Sequence, residues 1–485
     1  MPTLKPPLRD TDHLLEEVVK IAVDYLADHA DRQRSVIRHL TPEDLQDRFA
    51  MAPPTNGRSP EELLEEIRKV LHYSVRTGHP GFCNQLYGGY DTAALIGEWV
   101  TALLNTSMYT YEVAPVFTLM ERALIRHMCE FVGWAADEGE GVFTPGGSIA
   151  NLMALLAARN RFLPHVKQDG LEASDHLILF ASKEAHYSVL RAASVAGLGT
   201  TAVRQIPVDE LGRMRPEALE DAIRANEGQQ SRPFFVCATA GTTVAGAFDP
   251  IDEIAEIAEN HSMWLHVDAS YGGSVLLSDQ HRSLMRGCER ADSVTWNPHK
   301  MMGIPFVCSA LLVREKGRLA ATNGMQADYL FHANEDAEYN LGDLSLQCGR
   351  RVDALKLWLS WHALGDDGHA HRIDHLFELA GALRNMVVER RGFELVREPE
   401  GLNVCFHFVP ESVSESTNGA ARSERLGKAT MEIRELLRRS GQVLVNYAPL
   451  AGVPVFRYVA SNHRATEEDL RFMLDEIERF GSGLK

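Results

Sequence analysis

Three things are scarce in this chain of 485 residues, and each scarcity narrows what it can be. Positive charge is the first: 49 Lys and Arg stand against 67 Asp and Glu, a formal charge of −18. A protein that grips nucleic acid by its phosphates, or docks on an anionic membrane, needs a basic face that this balance does not supply. Long apolar runs are the second. None is long enough to cross a bilayer, and the opening residues MPTLKPPLRDTDHLLEE carry no continuous apolar segment of the kind a secretory signal needs. Cysteine is the third, with seven at 83, 129, 237, 288, 308, 348 and 405 and no C-x-x-C pair. That pattern predicts buried free thiols in a reducing cytoplasm and no metal site, rather than a disulfide framework.

What is present is an ordinary globular composition, 45% hydrophobic and 24% charged, on a chain long enough for two or three structural units. DHLLEEVVKIAVDYL repeats apolar residues at helical steps. Ser59-Pro60-Glu61-Glu62 reads as a helix start, with Ser59 as N-cap and Glu62 closing a capping box. HPGFCNQLYGGYD, 79–91, is a loop rich in glycine and hydrogen-bonding side chains. Short apolar runs then alternate with helical stretches at 141–144, 177–182, 202–208, 234–239, 263–269, 293–297 and 309–314. This predicts an α/β fold with a mostly parallel sheet covered by helices on both faces. Beyond about 365 the pattern changes to a helix over 370–391, a charged stretch 411–428 read as a solvated loop, and a last amphipathic helix over 465–480. The expected organisation is an N-terminal helical segment (1–86), a large domain (87–365) and a small C-terminal α+β domain (366–485).

Ligands of such sheets bind at the carboxyl ends of the strands, and several of those ends carry chemistry. GVFTPGGSIANL passes from strand to helix through Gly146, Gly147 and Ser148, a cradle for a phosphate or simply a tight turn. MWLHVDASYGG places Asp268 at the end of an apolar strand, where a carboxylate needs a cation, a turn to cap or an arginine. His186 follows another strand and is placed to stack on a flat ring, or to serve as a satisfied core histidine. Thr242 and Thr243 end a fourth strand. SVTWNPHKMMG brings Lys300 to a strand end, either snorkelling to solvent or tied up as an imine with a carbonyl cofactor. Phosphate cradle, flat ring, carboxylate for a pyridinium and lysine for an aldehyde together are the requirements of pyridoxal 5′-phosphate.

These segments, together with NTSMYTYEVAPVFTLME, KEAHYSV, ATAGTTVAGAFDPI, QCGRRVDALKLWL and VFRYVASN, resemble the group II pyridoxal-phosphate decarboxylases of fold type I. The likeness is to the branch acting on glutamate, cysteine sulfinate and aspartate. It implies that Lys300 is the Schiff-base lysine, Asp268 the pyridinium partner and His186 the stacked ring. It also implies that Gly146, Gly147, Ser148, Thr243, Ser270, Asn297 and His299 surround the cofactor. Arg457 would hold the substrate α-carboxylate, with Gln85 and Tyr87 lining the substrate pocket, in a homodimer with active sites at the subunit interface. Tyr87 stands where glutamate-selective members have a small serine, so the resemblance favours aspartate or cysteine sulfinate.

The sequence departs from this family in one loop. Members carry a proton-donating tyrosine in a K-x-Y-D segment shortly after YLF, whereas here the segment is YLFHANEDAEYNLGDLSLQCGR, slightly shorter. The simplest alignment makes Tyr339 a structural tyrosine before the G-D pair; an alignment with added gaps makes it the donor. The expected activity is α-decarboxylation of a small acidic amino acid. A decarboxylation-dependent oxidative deaminase is the alternative if the donor is missing, and a non-catalytic scaffold is a remote one.

Overall fold

A computed structural model of the protein describes residues 11–29, 31–135, 137–172, 174–226, 231–325, 336–413 and 419–484. Its strands are β1 (Phe82–Cys83), β2 (Glu140–Thr144), β3 (Leu177–Ser182), β4 (Val203–Ile206), β5 (Arg232–Thr239), β6 (Trp264–Ala269), β7 (Ser293–Trp296), β8 (Ser309–Val313), β9 (Phe393–Leu395), β10 (Asn403–Phe408), β11 (Leu444–Leu450) and β12 (Val453–Val459). The seven runs expected between 141 and 314 are β2 to β8, and they form one sheet in the order β2-β8-β7-β6-β5-β3-β4. Neighbours from β7 through β4 are parallel, while β8 runs antiparallel to β7 and β2.

Burial on both faces explains why these strands read as continuous apolar runs. Alternate residues feed two cores: Leu265, Val267, Val294 and Trp296 pack on one side, Trp264 and Leu311 on the other. The second core lies under helix Gly147–Phe162, whose Ala150, Met153, Ala154 and Ala157 are buried against the strands. Small side chains there let the helix sit close to the sheet and aim its N-terminus at the strand ends.

The smaller sheet has the order β1-β11-β12-β10-β9. Its first strand comes from the loop at 79–91 and pairs in parallel with β11, so the N-terminal region is stitched to the C-terminal one. The expected helix at 370–391 begins earlier, as Ala354–Glu389, with non-helical backbone at Gly365 (φ 66°). The charged stretch 411–428 requires a correction. Residues 414–418 lie outside the described part, but Ala420–Ser440 is helical, so 420–428 opens a helix rather than continuing a loop. Leu426, Ala429, Ile433 and Leu437 recur at helical steps and are buried, and that apolar stripe outweighs the charges between them. Ser59 caps helix Pro60–Tyr73 with both arms of the capping box formed.

Several histidines lie in the core. Burial first, with neighbouring cations adding to it at His29, His299 and His369, pushes His29, His266, His369 and His407 down to about 4 and His299 to about 3, from an ordinary value of 6.5. The unfolded chain takes up protons as pH falls through 6.5, while these folded sites stay neutral until about 4, so stability present above 6.5 is lost on acidification. Each depressed histidine contributes on the order of 1 kcal/mol per pH unit in that window. Asp249, pushed up to about 7 by burial, runs the other way, as do Glu140, Asp292, Asp353 and Glu400, which burial raises less far; against them stand these five histidines and His463, also lowered to about 4 by burial. The urea midpoint is therefore expected to fall clearly between pH 7.5 and 5.5; an equal or higher midpoint at pH 5.5 would contradict this account.

Candidate active site

The carboxyl edge of the large sheet gathers residues from five strand ends. After β2 the chain turns through Gly146, at φ 111°, into helix Gly147–Phe162. A Cβ at Gly147 would stand 2.5 Å from Ser270 Oγ and 2.9 Å from Asn297 Nδ2, so only glycine lets the helix start this close to the loops after β6 and β7. The amides of Gly147 and Ser148 have no acceptor among the described residues and lie at the positive end of a helix dipole, an anion site in waiting. His299, 4% exposed, is pinned through Nδ1 to the backbone of Cys308, which leaves Nε2 without a partner among the described residues.

Asp268 ends β6, 4% exposed. Asn151 Nδ2 donates to its Oδ2 at 2.8 Å and the Ser270 amide to its Oδ1 at 3.1 Å. Burial alone would raise its pKa, but Ser270, the Lys300 charge, His266 and Asn151 together hold it below the usual carboxylate value. It stays an anion in a buried place. Lys300 follows β7 in a turn closed by its own amide on Asn297 O at 3.0 Å. Its Nζ makes no hydrogen bond or ion pair among the described residues. Burial lowers its pKa, with Asp268 opposing, so more of the amine is free to act as a nucleophile. His186 is half-buried and accepts the Ser188 amide at Nδ1, 3.2 Å away. Its pKa is lowered by burial, with Asp268 opposing and Lys300 and Arg191 adding, so the ring is flat and uncharged, with its proton on Nε2.

A second group of predicted residues meets beside the first. Arg457 of β12, 6% exposed, donates from Nη1 to Thr243 O at 3.1 Å and from Nη2 to Asn84 O at 2.9 Å, next to Gln85. Its Nε has no partner among the described residues. Tyr87 packs against Phe82 and Phe306, with ring centroids 5.9 and 5.4 Å away, and Phe306 in turn lies 4.6 Å from the His299 ring. Tyr339 is placed elsewhere. Arg122 lies over its ring at 4.8 Å and Tyr111 is 5.5 Å away. Of the segment 329–345, residues 329–335 fall outside the described part.

Two residues absent from the sequence reading are Asn151 and His266. The available signal was positional: Asn151 lies one helical turn beyond Gly147, and His266 is two residues before Asp268 on the same strand face.

A neutral stacking ring, a free buried amine, a stable buried carboxylate and unspent amides at a helix start suit pyridoxal 5′-phosphate in ring, aldehyde, ring nitrogen and phosphate. Fold and site together define a pyridoxal-phosphate enzyme of fold type I. Comparison with known proteins narrows the class. The model of the pyridoxal-dependent decarboxylase conserved domain matches residues 42–409, and the chain belongs to that family. It is 46% identical to the cysteine sulfinic acid decarboxylase of Rattus norvegicus, over 97% of this chain and 96% of that one. It is 44% identical to the human acidic amino acid decarboxylase GADL1, over 97% and 89%. The crystal structure of mouse CSAD superposes with a TM-score of 0.93 at 45% identity, covering 98% of this chain and 99% of that one. Oryza sativa TDC, crystallised with PLP and tryptamine, superposes at 0.89 with 26% identity, over 99% of both chains.

Proposed function

We propose that the protein removes the α-carboxyl group of a short acidic amino acid, cysteine sulfinate or aspartate, in preference to glutamate, and releases CO2 and the amine. The observation that carries the preference is the aromatic wall of Phe82, Tyr87 and Phe306 beside His299, which shortens the space for a substrate side chain. The names of the rat and human relatives support the substrate class.

Arg457 orients the substrate. Its guanidinium plane is locked by two backbone carbonyls, and a buried cation with a donor unspent favours a carboxylate. Lys300 holds the cofactor and yields to the substrate amine. Pyridoxal 5′-phosphate supplies the electron sink for the pair left when CO2 departs. Asp268 keeps a negative charge where the ring nitrogen would lie, His186 covers the ring face, and Gly146, Gly147, Ser148, Thr243, Ser270, Asn297 and His299 complete the cofactor shell. Tyr339, whose ring lies under Arg122 in its own subunit, is assigned to return a proton to the α-carbon across the dimer interface once CO2 has left.

The working form is a homodimer in the cytoplasm. In the single chain, helices Thr92–Leu104 and Pro115–Val132 leave Trp99, Leu103, Leu104, Val116 and Leu119 between 40% and 78% exposed, a face suited to a second copy. All seven cysteines are unpaired, as in a reducing compartment, and no described helix is long and apolar enough to cross a membrane.

Turnover of cysteine sulfinate, aspartate and glutamate, assayed in air and under nitrogen, tests this. The shorter acids are expected to exceed glutamate in kcat/KM by about 10–200-fold, the range one methylene commands. Tyr87→Ser should narrow that gap from the glutamate side. Amine is expected in full yield under both atmospheres. Glutamate as the best substrate would overturn the preference, and oxygen-dependent aldehyde with peroxide would overturn the reaction.

A further inference from the structure

The hydrogen bonds behind Asp268 run in one direction, and their two ends dictate it. At one end an ionised carboxylate can only accept, so the group facing Asp268 Oδ2 at 2.8 Å is Asn151 Nδ2. Asn151 Oδ1 then faces the other way, where it accepts from Thr295 Oγ1 at 2.8 Å and lies 3.1 Å from His266 Nε2. That nitrogen must carry the proton. His266 Nδ1 is therefore bare, and it accepts from Ser293 Oγ at 2.9 Å. At the far end the Trp264 indole N–H, which can only donate, reaches Ser293 Oγ at 2.8 Å. Donor follows donor from Trp264 through Ser293, His266 and Asn151 to the carboxylate.

The placement follows from the sheet. Trp264, His266 and Asp268 alternate along β6 on one face, and His266 stands directly opposite Ser293, and Asp268 opposite Thr295, in the parallel pairing with β7. Helix Gly147–Phe162 lies over that face and delivers Asn151 between them. His266 is 1% exposed and Asn151 4%, so no water competes for these bonds. Burial keeps His266 neutral, at about 4 against an ordinary 6.5.

We infer that Trp264, Ser293, His266 and Asn151 form a directional hydrogen-bond relay that holds Asp268 as an anion and thereby decides whether the cofactor's ring nitrogen keeps its proton. These are positioning residues, because none touches substrate. The inference rests on Asp268 being the partner of that nitrogen. Each donor stabilises the negative end of the chain, so removing one makes Asp268 a stronger base and shifts the shared proton from the ring toward the carboxylate. Trp264 is four residues from Asp268, about 13 Å along a strand, so it can be changed without touching the cofactor pocket.

The test uses holoenzyme reconstituted with pyridoxal 5′-phosphate labelled with ¹⁵N in the ring, whose nitrogen resonance reports protonation as pH is varied. Wild type should hold the protonated position through neutral pH. Trp264→Phe keeps an aromatic ring and loses only the donor; its ring nitrogen resonance should move toward the unprotonated position across neutral pH, as the ratio of the two proton positions shifts about tenfold toward the carboxylate. His266→Leu should shift further, and His266→Gln, which can donate and accept in the same places, should restore the wild-type titration. Asp268→Asn is the control. If its ring nitrogen titrates like wild type, the assignment of Asp268 itself is wrong. If Asp268→Asn shifts the titration while Trp264→Phe does not, the relay is overturned and the assignment stands, whatever the variants do to turnover. Should His266→Leu fail to fold, Trp264→Phe decides alone.

Discussion

Lys300→Ala is expected to abolish measurable turnover and to leave the chain folded. The loss should exceed the 10²–10⁴-fold, roughly, that a general acid or base alone contributes, because this residue both holds the cofactor and surrenders it to the substrate. The geometry argues for the separation of activity from stability. Lys300 Nζ has no protein partner among the described residues, and burial works against its charge, so truncation removes no bond that the fold relies on. The turn around it is built from backbone, Lys300 N to Asn297 O at 3.0 Å and Gly303 N to Lys300 O at 3.1 Å, and survives the change. Borohydride followed by mass measurement reads the chemistry directly: it should fix the cofactor to the wild-type chain and not to the variant. Attachment at equal yield in the variant would show that another lysine does this work.

Glu121→Ala should be the most damaging single change outside the site, by about 3–5 kcal/mol of stability. Glu121 and Arg350 are 1% and 3% exposed and meet at 2.8 Å. Glu121 Oε1 also accepts the Phe143 amide at 3.1 Å, and Arg350 donates to the carbonyls of Phe143 and Met108 at 3.1 and 2.9 Å. Removing the carboxylate strands a guanidinium in the core with no water to turn to, and releases β2 just before the Gly146–Gly147 turn. Affinity for the cofactor should fall together with the urea midpoint. Replacing both partners with apolar residues, Glu121→Leu with Arg350→Met, should recover much of the stability, since the large cost lies in one buried charge without the other. A loss below about 1 kcal/mol for Glu121→Ala would contradict this reading of the pair.

The strands and the site lysine were legible for a common reason. A parallel strand covered on both faces must be apolar at nearly every position, so β3, with the sequence LILFAS, announces itself locally. Its end is marked just as locally, because the chain must leave the sheet where polar groups can be satisfied. Gly147, His186, Thr243 and Lys300 follow such ends and Asp268 lies in the last residues of one, and their residue types carry the chemistry with them. The helix beginning at Ala420 was hidden because its first turns are charged; the apolar stripe acquires meaning only against the strands of the small sheet, where Gly427 lies under Pro454.

What the sequence determined by itself was therefore the large sheet, the place of the site at its carboxyl edge and the cofactor that edge suits, because each depends on short-range patterns. What only the tertiary structure decided was how those groups are tuned. Asn151, His266 and Ser293 are separated by up to 142 positions, yet they form one chain of hydrogen bonds because a helix crosses two adjacent strands. Arg457 comes from 373 residues beyond Asn84 to be locked by its carbonyl. Tyr339 is a tyrosine in any reading of the sequence; its contacts with Arg122 and Tyr111 depend on how segments far apart in the chain pack together. Hydrogen-bond direction, desolvation and the shift of a proton are properties of groups brought together in space, and no local pattern of residues encodes them.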